Sequence, residues 1–60
     1  MRYLKDGGGN YWKVYEDSTY SVMYTLNKRW LERDFIFNER WIKKWSMIEF
    51  TKEEFFAEIL

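Results

Sequence analysis

From Tyr11 onward the apolar and aromatic positions fall into short runs separated by polar pairs, Asp17-Ser18, Asn27-Lys28 and Asn38-Glu39. Asn and Asp tolerate the positive φ that two-residue hairpin loops require, so each pair predicts a tight turn. The runs between them, residues 11–16, 19–26, 29–37 and 40–48, are rich in Trp, Tyr, Val and Ile and predict four strands in up-and-down order. Residues 1–5 predict either a short first strand or a loose N-terminal arm. Asp6, three glycines and Asn10 follow as a flexible connection. A glycine-rich phosphate cradle would have to open a helix, whereas this loop leads into the β-prone residues 11–15.

The end of the chain changes period. Thr51 and Glu54 have capping-box spacing, in which the hydroxyl accepts one orphan amide and the carboxylate accepts the other. Phe55, Phe56, Ile59 and Leu60 then recur at helical spacing over residues 51–60. The expectation is a single α+β domain, residues 1–60: a short strand and Gly-rich loop (1–10), an antiparallel β-meander (11–48), and one short C-terminal helix. The sheet has four or five strands.

Two-residue loops would pair Glu16 with Thr19, Leu26 with Arg29 and Phe37 with Arg40, which assigns every side chain to a face. Tyr11, Lys13, Tyr15, Tyr20, Val22, Tyr24, Leu31, Phe35 and Ile42 would share one side with Arg29, Arg33, Arg40 and Lys44. Trp12, Trp30, Trp41, Trp45 and Met47 would share the other, with Trp30 opposite Met47 and Asp34 opposite Lys43. Each face carries large rings, and a ten-residue helix covers only one. Which face it covers is left open. The surplus face predicts an exposed aromatic surface, and such patches mark contact sites. The plainer alternative is that it is core, shared in a homodimer or folded over by the N-terminal strand.

Composition sharpens this picture. Fourteen of the 60 residues are aromatic (four Trp, five Tyr, five Phe), and there is no Cys, His or Pro. Disulfides, Cys-based zinc sites, thiolate nucleophiles and the usual neutral-pH base are therefore excluded. Rings, at roughly 150–250 Å² buried apiece, must stabilise a chain too short for a large core. The formal net charge is zero, yet residues 28–45 carry +3 and residues 49–60 carry −3.

Glu32 and Asp34 lie two apart on one predicted strand, the minimum for a carboxylate pair, but a spacing that chance supplies freely. Glu53, Glu54 and Glu58 do not follow a calcium-loop pattern. No catalytic residues, metal ligands, cofactor or small-molecule substrate are expected, and no membrane role, since no apolar run approaches the roughly 20 residues a span needs. The size suits a complete, cytoplasmic protein-interaction module that self-associates and acts as an inhibitor or regulator by occluding a partner, of the kind phages and mobile elements encode. Trp12, Trp30, Trp41, Trp45 and Met47 are its expected contact residues. The alternative is a single-stranded nucleic-acid-binding sheet using Tyr20, Tyr24, Arg29, Arg33, Arg40 and Lys44, because rings among basic groups can stack bases and neutralise phosphates.

Overall fold

A computed structural model describes residues 1–59; Leu60, part of the expected helix, lies outside the described residues. The fold is α+β. Strands β1 (Arg2–Lys5), β2 (Tyr11–Val14), β3 (Tyr20–Met23) and β4 (Trp30–Arg33) form an antiparallel meander, followed by helix α1 (Arg40–Lys44), strand β5 (Ile48–Phe50) and helix α2 (Lys52–Ile59). The strand order is β4-β3-β2-β1-β5, so the chain leaves the sheet at one edge and re-enters at the other. Residues 1–5 thus supply a strand, and it becomes the second from the edge.

Two expectations need correction. Residues 40–48 do not form the expected strand, and only Ile48 enters one, β5: Trp41, Ile42 and Trp45 share a helical face, and Asn38 starts the turn, its side-chain oxygen accepting the Arg40 amide at 2.9 Å. The helix then ends in a Schellman closure, with the Met47 amide donating to the Ile42 carbonyl at 2.7 Å and the Ser46 amide to that of Lys43 at 3.3 Å. The pairings of Trp30 with Met47 and Asp34 with Lys43 disappear with the strand.

The second correction concerns register. Tyr15 and Thr19 close a three-residue loop in which Ser18 takes φ 71°, so Trp12 pairs with Val22 and Lys13 with Ser21. A slip of one residue turns β3 and β4 over relative to β2. The β3–β4 register is displaced by an even number, Val22 meeting Leu31, which preserves their mutual orientation but lengthens the loop to residues 24–29. The tryptophans are consequently divided between the two faces instead of sharing one.

Each face finds its own cover. On one side Leu4, Trp12, Val14, Tyr20 and Val22 meet the crossover segment, which contributes Phe37 and Met47 to the buried cluster and packs Trp41 and Ile42 against it. Trp12 is the hub, with ring centroids 5.2 Å from Tyr20, 5.8 Å from Trp45 and 6.0 Å from Trp41. On the other side α2, following β5 after the single residue Thr51, folds back and plants Phe55 among Tyr3 (4.8 Å), Tyr11 (5.7 Å) and Trp30 (6.1 Å). The helix therefore covers neither of the two ring sets predicted for it. Among the described residues both sides of the sheet are thus covered by segments of the same chain.

The capping box forms as the sequence predicts: Glu54 accepts the Thr51 amide at 2.9 Å, and the Thr51 hydroxyl accepts the Glu54 amide at 3.2 Å. Among the described residues no helix is long and apolar enough to cross a membrane.

Candidate docking surface at the glycine-loop end

The loop between β1 and β2 is organised by one carboxylate. Asp6 accepts the amides of Gly8 (2.9 Å) and Asn10 (3.0 Å) through Oδ1, and the Asn10 side-chain amide (3.1 Å) and the Trp12 indole (3.0 Å) through Oδ2. Glycine is needed here for two separate reasons. Gly9 sits at φ 86°, and a Cβ on Gly7 would lie 3.2 Å from the Trp45 carbonyl oxygen, which the Gly7 amide itself reaches at 2.7 Å. The loop is thereby fastened to the end of α1. Asn10 fastens it to the β3–β4 loop as well, accepting the amide and the hydroxyl of Thr25 at 3.1 and 3.0 Å.

Three segments that are remote in sequence thus converge at one end of the molecule: the glycine loop, the tip of β3–β4 and the α1 terminus. Between them lies an open hollow of about 550 Å³, bordered by Gly7, Gly8, Tyr24, Lys44, Trp45 and Ser46, with Trp12 at its inner wall. A neighbouring hollow of about 360 Å³ shares Tyr24 and is bordered by Met23, Thr25, Lys28 and Glu58. Tyr24 is therefore a ridge between two recesses.

Exposed apolar side chains occur at this end as well as at Phe35, Ile36 and Ile48 elsewhere on the surface. Trp45 is 38% exposed, Tyr24 is 37% exposed and Leu26, on the adjoining loop, is fully exposed at 100%. Of the expected contact residues, Trp12 and Met47 are buried, Trp30 and Trp41 are half-buried, and Trp45 is the most open to solvent. The structure gathers Trp12, Trp41, Trp45 and Met47 on the same side of the sheet and places Trp30 behind it, where Lys13 lies over its ring at 4.1 Å.

The six residues of the nucleic-acid alternative are not brought together. Tyr20 is buried against Trp12, so its ring offers no stacking surface. Arg33 lies across from it on β4, Tyr24 and Arg29 flank the β3–β4 loop, and Arg40 and Lys44 belong to α1. Sequence reasoning missed Leu26 and the role of Asp6. Leu26 carried no signal, being indistinguishable from a strand residue until the loop length was known. For Asp6, the aspartate immediately before a glycine run was a usable sign.

Comparison with family models, curated proteins and solved structures found no match.

Proposed function

We propose that the chain is a small protein-interaction module that works by surface contact, without covalent chemistry, and that its docking surface is the glycine-loop end carrying Tyr24, Leu26 and Trp45. The observation that carries this reading is the exposure of an indole and a phenol at the border of a hollow, with a whole Leu side chain exposed on the adjoining loop. Rings gathered at one end around a recess, and not exposure as such, are what mark a contact site. Trp and Tyr are the residues whose truncation most often costs binding energy at protein interfaces. A module of this size engages a partner by masking part of its surface, which suits an inhibitor or regulator.

Affinity purification tests the reading. Tagged wild-type protein, the double variant Leu26→Asp/Trp45→Ala, and the control Phe35→Asp, altered at an exposed position in the segment after β4, are recovered from cells of the source organism. A stoichiometric protein held by wild type and control but lost from the double variant is the expected result. Equal recovery by all three chains would overturn the assignment of the surface. Solution mass measured in parallel reports whether the occupant is a second copy.

A further inference from the structure

Resting on that reading, we infer that the partner presents an acidic segment, with one apolar or aromatic side chain seated beside Trp45 and flanking carboxylates set against Lys44 and Lys28. The charges around the two hollows favour such a partner. Each is lined by one carboxylate and at least one lysine besides Tyr24. The carboxylates are already engaged. Asp6 accepts four hydrogen bonds within its own loop, and Glu58 is held by Lys5 at 2.8 Å. The cations at the rims are not. Among the described residues neither Lys44 nor Lys28 meets a carboxylate within ion-pair distance. Lys44 instead lies 5.6 Å from the Trp45 ring centroid.

The surface therefore offers unspent positive charge on both sides of the Tyr24 ridge, although the chain as a whole is neutral. Arg40 and Lys43 extend the same sign along α1, also without a carboxylate partner among the described residues. Of the acids of α2, Glu58 borders the second hollow and is held by Lys5, whereas Glu53 and Glu54 border neither hollow. An interface of this kind selects its partner by complementary potential while buried rings provide most of the affinity. An acidic protein segment is favoured over a nucleic-acid strand for two reasons. The whole chain carries no net charge with which to hold a phosphate backbone, and Arg29 and Arg33 border neither hollow.

The test uses the full chain and three probes: a capped hexapeptide of Asp and Glu around a central Phe, its Asn and Gln counterpart, and an oligothymidine strand. Binding is followed through the indole N–H resonance of Trp45 at millimolar probe. The acidic peptide is expected to shift that resonance, and to bind about tenfold more weakly to Lys28→Glu/Lys44→Glu. Its affinity should also fall as salt rises from about 0.01 to 0.15 M, where the screening length drops from about 30 to 8 Å. Equal shifts of the Trp45 resonance by the neutral and the acidic peptide would overturn the acidic partner and leave the docking surface standing. Binding of the oligothymidine strand in place of the acidic peptide would overturn a protein partner. A Trp45 resonance that no probe moves would overturn both.

Discussion

The Trp12 indole donates to the Asp6 carboxylate at 3.0 Å, which joins the hub of the larger aromatic cluster to the loop that shapes the candidate docking surface. One carboxylate so placed stabilises fold and site together. Asp6→Ala removes the acceptor of two backbone amides, a side-chain amide and the indole, and it leaves the part-buried indole without a partner. A loss of about 2 kcal/mol is expected, read as a lower urea midpoint. Asp6→Asn should recover only part of it, because its amide nitrogen would meet donors. An unchanged midpoint in the Ala variant would show that the loop is held by other means.

Phe55 is fully buried and touches Tyr3, Tyr11, Trp30, Phe50 and Phe56, so it is the key by which α2 closes one face of the sheet. Truncation to Ala costs about 3–5 kcal/mol at such positions, against a total of roughly 3–9 kcal/mol for a chain of this length. Phe55→Ala is therefore expected to lose its near-ultraviolet dichroism at room temperature, whereas Phe55→Leu retains it. A folded Ala variant of undiminished stability would mean that α2 contributes little to closing the sheet.

Ser18 and Ser46 occupy left-handed backbone at φ 71° and 51°, one closing the β2–β3 loop and the other ending α1. A Cβ is disfavoured in that region, and Gly is the usual residue at both kinds of position. Replacing either by Gly should raise stability by about 0.5 kcal/mol, the relief of strain outweighing the added freedom of the unfolded chain. Thermal unfolding of the two single variants and their double reports it, with additive gains expected from sites on different elements. A fall in melting temperature for both would contradict the backbone assignment.

The same two serines mark where the sequence stopped being legible. Local patterns read correctly: Thr51 and Glu54 cap α2, and the run from Tyr11 to Val14 is a strand. The β2–β3 turn did not yield its register, because Asp17-Ser18 suits a two-residue loop as well as the last two positions of a three-residue one. That ambiguity of a single residue decided which tryptophans share a face. Residues 40–48 failed for a different reason. Trp41, Lys43, Trp45 and Met47 satisfy alternation, while Trp41, Ile42 and Trp45 satisfy helical spacing, and only the docking of the latter three against Trp12 and its cluster breaks the tie. The hollow proposed as a docking surface was hidden as a consequence, since it forms only where the α1 terminus meets the glycine loop.

Acid should loosen this fold through its capping and seam carboxylates, and the direction follows from their surroundings. The Thr51 backbone amide, and then the Thr51 side chain, hold the Glu54 carboxyl below its ordinary value. The hydrogen bond from Arg2 does the same for Glu49 at the β1–β5 seam, and that from Lys5 for Glu58. A carboxyl that ionises more readily folded than unfolded favours the fold above its unfolded value, near about 4.3, and the advantage fades as pH falls through the lower folded value. The urea midpoint of the wild-type chain should accordingly be flat above about pH 5.5 and decline below it. Glu54→Gln should start from a lower midpoint at neutral pH and decline less, so that the two curves converge in acid. Glu49→Gln is expected to behave alike, because Arg2 then loses one of its two carboxylate partners, Glu39 remaining. Parallel curves, with the variants offset from the wild type by the same amount at every pH, would mean that these bonds do not distinguish the charged carboxylate from its neutral substitute.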